Sequence, residues 1–588
     1  MRCPAAVLLL ALASPATDAA SCTLGRLAEM PVTMRGLRPM VHADVNGTDE
    51  LFVADSGAFW SSLTRATAAT FNLTLDPAPA SFRPSGVGGD AGAWVTWVRT
   101  FSILGHTLPN VEFIVLPDDV GDDAAGLLGQ NVFQIGDVEY DLAGGAIRIM
   151  NPHHCEKAPL AYWAQGTSQS VSAIDIEAAT AAAPFIRSVA YLNGNRITVM
   201  FDTGASVSAL TLAAARHAGV TPDTAGVVPA GDWMGIGHRK VPSWLAPFAS
   251  FRIGDEEVRN ATLRIGELGL PGIDMLVGAD FFLSHHIYVA NSQRRLYFTY
   301  NGGPVFNLTQ SPAMQHSQPA GGGTALAGEQ PVDAASFARR GAASNARHDY
   351  AGAIADLTRA CELAPAESSY FYQRGMAHWH NRQTDLAMAD FDQAIRLKPD
   401  SVDALMERAS LRVSRHDSAA AIAADLEAVD RALPRKDAAR LRIGTLYVAA
   451  GQPRAAVAQY SKWIDSHLRA DVHMADALNA RCWARALAGD ELDQALVDCN
   501  AALKMSPNTA AFLDSRGLVY LRQGNYDQAI ADYDAAQRLQ PKIAWSLYGR
   551  GVARVRKGMS AAGQADMDAA SGLAPQIAER ARAYGIVP

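Results

Sequence analysis

The chain has 588 residues, a formal net charge of −8 and 49% hydrophobic residues. That length exceeds what one hydrophobic core supports, so two to four domains are expected. The small negative charge and the absence of a long basic run argue against nucleic-acid binding, and no run approaches the roughly 18 apolar residues that a membrane-spanning helix needs.

Taken in chain order, Arg2 precedes the apolar run from Ala5 to Ala13, and Ala19, Ala20 and Ser21 follow. This is the layout of a cleaved secretory signal over residues 1–21, so the protein is expected to be exported. Lipid anchoring through Cys22 is the other outcome of such a signal. Ala19 argues against it, standing where lipoprotein signals carry a leucine-like residue. Beyond residue 22 the chain reads as short β-type runs broken by Gly, Pro, Asn and Asp: Leu51 to Ala54, Trp94 to Val98, Val111 to Leu116 and Arg196 to Phe201. Residues 301–332, with Gly302-Gly303-Pro304 and Gly321 to Gly323, have linker composition. Residues 333–588 are rich in Ala, Leu, Arg, Asp and Gln at helical spacing.

Both halves repeat internally. Val45-Asn46-Gly47 precedes Asp55-Ser56-Gly57-Ala58, and Leu192-Asn193-Gly194 precedes Asp202-Thr203-Gly204-Ala205. Gly86-Val87-Gly88-Gly89 answers Gly235-Ile236-Gly237-His238, and Leu127-Leu128-Gly129 answers Leu276-Val277-Gly278. The three motif pairs hold one offset of 147 to 149 residues, which marks a tandem duplication with lobes at 22–155 and 156–300. In the helical half Gly341, Gly375, Gly444, Gly517 and Gly551 open units with a period near 34. That period is the tetratricopeptide signature, and about seven units are expected.

Each Asp-Ser/Thr-Gly-Ala turn follows an apolar β-run and has an apolar-apolar-Gly segment some 75 residues later. In these motifs the chain resembles the retropepsin-like aspartic proteases, in particular bacterial proteins in which such domains precede tetratricopeptide repeats. The resemblance implies an all-β bilobal acid-protease fold followed by an all-α solenoid. It implies that Asp55 and Asp202 are the catalytic pair and that Ser56 and Thr203 cross-brace the two active-site loops. Gly57 and Gly204 would let those loops turn tightly. Gly86, Val87 and Gly88, with Gly235, Ile236 and Gly237, would form flaps that close over substrate. A bacterial setting makes the exported protein periplasmic or extracellular.

Two carboxylates a few ångström apart cannot both ionise cheaply, so such a pair shares one proton. The ionised member takes a proton from the attacking water while the protonated member donates to the scissile carbonyl. Because both copies lie in one chain, the lobes are expected to pair within a monomer. The expected activity is an aspartic endopeptidase, with repeats that bind substrate or a partner protein. The alternative is an exported adaptor with inactive lobes; both aspartates, both hydroxyl residues and both glycines favour the enzyme.

Of the six cysteines, Cys3 falls in the expected signal, and no Cys-x-x-Cys or His–Cys cluster has metal-ligand spacing, so neither metal nor cofactor is expected. Aligning the repeats puts Cys482 and Cys499 on facing helices, where a disulfide fits. The terminal strands of a retropepsin lobe lie close together, so the resemblance implies that Cys22 and Cys155 also pair, leaving Cys361 as a buried thiol. His153-His154 and His285-His286 read as surface or packing residues, since neighbours on a strand face opposite ways.

Overall fold

The computed structural model describes residues 22–78, 84–87, 89–90, 92–116, 124–179, 184–233, 235, 241–306, 331–434, 437, 439–467 and 473–588. The expected signal and most of the expected linker lie outside these residues, as do Gly88, Ile236, Gly237 and His238. The chain divides into two compact units, one through Ala360 and one from Cys361.

In the first unit the duplicated motifs build two six-stranded barrels. Strand Arg38–Val45 turns through Asn46 and Gly47 into Thr48–Ala54, with Val45 opposite Thr48. Ile186–Leu192 turns through Asn193 and Gly194 into Asn195–Phe201, with Leu192 opposite Asn195. All four turn residues have positive φ, from 47° to 85°. This is the two-residue hairpin that Asn-Gly favours, because its twist matches that of the strands. Ile186–Leu192 alternates buried and half-buried residues along its length, the period of a strand with one face on a core.

In the first barrel Thr48–Ala54 pairs in parallel with Gly126–Leu128, which runs antiparallel to Ser62–Thr64. His106–Leu116 and Trp94–Ile103 follow, and Trp94–Ile103 closes the ring on Arg38–Val45. The second barrel repeats the order with Asn195–Phe201, Met275–Val277, Ala209–Thr211, Glu256–Gly266 and Val241–Ile253, closing on Ile186–Leu192. Short helices α1 (Arg65–Thr70) and α2 (Gln130–Phe133) in the first lobe match α3 (Leu212–His217) and α4 (Ala279–Ser284) in the second. The Thr64 and Thr211 hydroxyls cap α1 and α3 in the same way, each accepting from the third residue on.

A third sheet belongs to both lobes. Its order is Thr23–Pro31, Ala146–His153, Asp137–Asp141, His285–Ala290, Arg295–Tyr300 and Ser172–Asp175. The seam pairs Glu139 with Tyr288, and there the buried Glu139 carboxylate takes bonds from Arg148 (2.7 Å), Tyr162 (2.6 Å) and His286 (2.8 Å). Trp163 stacks on His286 at 3.9 Å, so this histidine is a packing residue of the seam. Helix α5 (Ala334–Ala346) buries Ala342, Ala343 and Ala346 in the same core as Val32 and Met34, which ties it to the β-unit.

Among the described residues fourteen more helices follow, mostly in antiparallel pairs: α6 (Tyr350–Leu363); α7 (Ser368–His380) with α8 (Thr384–Leu397); α9 (Val402–Ser414) with α10 (Ala419–Ala432); α11 (Ala439–Ala449) with α12 (Pro453–Ser466); α13 (Met474–Ala488) with α14 (Leu492–Met505); α15 (Ala510–Arg522) with α16 (Tyr526–Leu539); α17 (Ala544–Arg556) with α18 (Ser560–Leu573); and finally α19 (Ile577–Ala583). A Cβ added to Gly375 or Gly517 would come within 2.8 Å of the Phe391 or Tyr533 ring on the partner helix, so glycine recurs where that ring needs room. Beside it an arginine of the first helix grips an aspartate of the second with two bonds: Arg374 on Asp390, Arg516 on Asp532 and Arg550 on Asp566, all at 2.7–2.8 Å. These forked pairs are partly buried and set the angle within each helix pair. In the α13/α14 pair Cys482 and Cys499 occupy the glycine and ring positions and form a disulfide, with Cα atoms 5.6 Å apart. From α7 to α17 successive first helices pack on one another, and no comparable packing joins successive second helices among the described residues. The first helices therefore lie side by side along the array.

Candidate functional site

Strand Thr48–Ala54 delivers Asp55, and strand Asn195–Phe201 delivers Asp202. Each backbone is pinned by the neighbouring strand, for the Asp55 N–H donates to Leu128 and the Asp202 N–H to Val277, both at 2.9 Å. The loops then lock across the two lobes. The Ser56 N–H donates to the Thr203 hydroxyl at 2.9 Å, and the Thr203 N–H to the Ser56 hydroxyl at 3.0 Å. Those hydroxyls in turn donate to the carbonyls of Phe201 (3.2 Å) and Ala54 (2.7 Å) on the opposite lobe. Serine in one lobe and threonine in the other thus do the same work, and four bonds fix one carboxyl against the other.

Each carboxyl is also held from below. Asp55 Oδ1 accepts from the N–H groups of Gly57 and Ala58 at 2.9 Å, and Asp202 Oδ1 from those of Gly204 (2.9 Å) and Ala205 (3.2 Å). The glycines are required by approach: a Cβ on Gly57 would fall inside the Asp202 carboxyl group, and one on Gly204 inside that of Asp55.

Burial, the nearby Asp202 charge and the hydrogen bond between the two push the Asp55 carboxyl well above the usual carboxylate range. Burial raises Asp202 as well, while the bond from Asp55 and the N–H groups of Ala205, Gly204 and Gly57 oppose that rise. Two buried carboxyls placed so closely share one proton between them. The titration belongs to both groups together.

A supporting layer repeats with the duplication. Asn131 on α2 accepts from the N–H and hydroxyl of Ser61 at 2.8 and 2.9 Å, and that hydroxyl accepts from the Gly129 N–H. Asp280 on α4 does the same for Ser208, which accepts from Gly278. Asn131 and Asp280 are thus equivalent acceptors. Ser61 and Ser208 were not singled out from sequence, although they stand at the same 147-residue offset as the aspartates. Gln130, whose side chain donates to the Ser56 carbonyl at 2.6 Å, has no counterpart signal.

Gly86 pairs with Gly89 in a two-stranded hairpin, and Val87 at its tip is buried against Met200, Ala209, Val241, Leu268, Ile273 and Leu276 of the second lobe. Gly235 lies against Val87, where an added Cβ would meet the valine at 3.0 Å. On the other flank Phe59 contacts Trp60 and Phe185, with ring centres 5.4 and 6.4 Å apart. Away from this site Cys22 and Cys155 form a disulfide where neighbouring strands bring Thr23 opposite His153. Burial pushes the free thiol of Cys361 up to about 11.

Residues 41–132 and 189–281 each match the aspartyl protease family model. The β-half is a duplicated aspartyl-protease-type fold. Residues 372–437 match a tetratricopeptide repeat model and residues 517–558 a second model of the same repeat. The helical half is thus a tetratricopeptide array, a repeat class that binds proteins. Similar solved structures include YrrB, described as a TPR protein with an unusual peptide-binding site, at 20% identity and TM-score 0.28, covering 33% of this chain and 97% of that one. Another is a tetratricopeptide repeat protein from Parabacteroides merdae ATCC 43184, at 15% identity and TM-score 0.34, covering 43% and 98%. No curated protein matches the chain significantly. Among the described residues no helix is long and apolar enough to cross a membrane, and no group of three or more His, Cys, Asp or Glu side chains is placed to hold a metal.

Proposed function

We propose that the chain is an exported aspartic endopeptidase, with Asp55 and Asp202 as its catalytic pair. The observation that carries this reading is the cross-braced, proton-sharing juxtaposition of the two carboxyls. The ionised member of the pair takes a proton from a water placed between them, and that water attacks the scissile carbonyl while the protonated member donates to the carbonyl oxygen as charge develops there. The hairpin bearing Val87 favours a peptide bound in extended form, held by backbone bonds with side chains alternating to either side. Both lobes come from one chain, which supports a monomeric enzyme. Export fits the N-terminal sequence and the disulfides Cys22–Cys155 and Cys482–Cys499, which need an oxidising compartment.

The test is cleavage of a generic unfolded protein by the purified chain between about pH 3 and pH 8. Cleavage should need acid, since one carboxyl must be protonated. It should vanish when either aspartate becomes asparagine. Acid-dependent cleavage that survives both substitutions would refute the assignment.

A further inference from the structure

Residues beyond α18 do more than close the array. A terminal cap needs to cover only the last helix pair. Here α19 packs on α17 and α18 and sets the Arg580 guanidinium over the Trp545 ring, but the chain then reaches much further back. The Tyr584 hydroxyl donates at 3.1 Å to the carbonyl of Val448 near the end of α11, three pairs earlier. Arg522, the last residue of α15, donates to the Tyr584 carbonyl and, at 3.1 Å, to the Ala486 and Leu487 carbonyls at the end of α13. Arg556, the last residue of α17, donates to the Val587 carbonyl at 2.7 Å. Ile577, Ala581 and Ile586 are at most 2% exposed. The segment thus runs along the C-terminal ends of α11, α15 and α17, and Arg522 links it to the end of α13.

The contacts resemble those that a receptor makes with a peptide. Arg522 and Arg556 address main-chain carbonyls, so they read backbone course and not side-chain identity. Selection rests on the Tyr584 ring and hydroxyl, on the buried Ile586 side chain, and on Gly585 between them. The φ of Gly585 is +69°, which turns the chain so that both side chains enter the array.

We propose that the surface formed by the C-terminal ends of α11, α13, α15 and α17 is a peptide-docking surface of the array and that residues 577–587 occupy it as an internal ligand. The partner is a protein segment with an aromatic-Gly-aliphatic pattern, which displaces the internal one. Tethering gives the internal copy a high effective concentration, so a free partner must compete against it.

The experiment keeps the full chain. A specific protease site is placed after Pro575, so that the array folds with the segment in place and cleavage then removes the tether. A fluorescent peptide with the sequence of residues 577–588 is the probe. It should bind the cut chain saturably and the uncut chain at least tenfold more weakly. Replacing the tyrosine of the probe by alanine, or scrambling it, should cost about tenfold or more, as should Arg522→Ala in the cut chain. If the probe fails to exchange into the cut chain at about millimolar concentration, or if scrambled and native probes bind alike, the segment is a fixed part of the fold and the proposal fails. Proteolytic activity is not read, so the outcome is independent of the catalytic assignment.

Discussion

Asp514 offers a test of how pH acts on the repeat array. It lies on α15 with its carboxyl buried, and the Ser546 hydroxyl of α17 donates to it at 2.6 Å. Burial pushes its pKa from 3.8 up to about 7, more than that one bond can offset. In the unfolded chain the group ionises near 4, so between about pH 4 and pH 7 folding takes up a proton. Each pH unit in that window costs about 1.4 kcal/mol, or about 4 kcal/mol across it, and above pH 7 the cost is constant. Below pH 4 both states are protonated and the cost is absent. Asp514→Asn mimics the protonated form. Its amide can still accept from Ser546, and any penalty for the unpaired NH2 is the same at every pH. The wild-type helices α15 to α17 should therefore lose about 4 kcal/mol of opening free energy between about pH 4 and pH 8, while the variant stays nearly flat. Hydrogen exchange of peptides spanning these helices in the full-length chain, corrected for intrinsic rates, reads this difference. Equal pH slopes in the two proteins would refute the argument.

Other predictions follow from the same geometry. Asp55→Asn and Asp202→Asn should each lower cleavage about a thousandfold or more, leaving circular dichroism unchanged, because one amide removes the shared proton; near-normal turnover in either would exclude the shared pair. Gly57→Ala should abolish activity through the forced displacement of Asp202, and a crystal structure showing the carboxyls unmoved would contradict that cause. Ser56→Ala removes two of the four cross-lobe bonds and should destabilise the β-unit by about 1–3 kcal/mol, seen in denaturant unfolding. Mass mapping of unreduced, alkylated protein should recover Cys482 linked to Cys499 and Cys22 linked to Cys155, with Cys361 free. Free thiols at both Cys482 and Cys499 would show that helices α13 and α14 are not joined.

What could be read from sequence was what the duplication wrote twice. The Asn-Gly turns, the Asp-Ser/Thr-Gly loops and the apolar-Gly strands recur at one offset, so two lobes follow from spacing, and the facing pair of aspartates follows from the family resemblance those motifs carry. Glycine spacing likewise exposed the helical repeats, because each marks a place where a large side chain of the second helix, a ring at Gly375, Gly444 and Gly517, comes close to the backbone of the first. The shared sheet was not legible. Val138 meets Val289 across the lobes, and no local periodicity reports a partner so distant. The arginine–aspartate forks escaped for another reason. Arg374 and Asp390 each read as solvent-facing charge on a helix, and only the pairing of the two helices makes them partners. Residues 577–588 were hidden in the same way: Glu579, Arg580 and Arg582 suggest a solvated helix, while Ile577 and Ile586 carry the burial.

The two halves differ in chemistry but respond alike to acid. Burial raises the paired aspartates and Asp514 alike, so what they cost the fold falls as they take up protons. Opposing them are carboxylates whose ionised form is held by partners. Burial acts to raise Asp430, but the hydrogen bonds from Lys462, Arg440 and Gln459 outweigh it and hold the group at about 2. The stability it contributes is present above the unfolded value near 4 and is lost as pH falls through about 2. At the seam between the lobes burial likewise raises Glu139, and His286, Arg148 and Tyr162 together hold it below its ordinary value. Its contribution is therefore also retained until acid stronger than that which protonates free glutamate. In the array Asp514 adds no cost below about pH 4 and Asp430 contributes fully above it, so the two effects balance near pH 4.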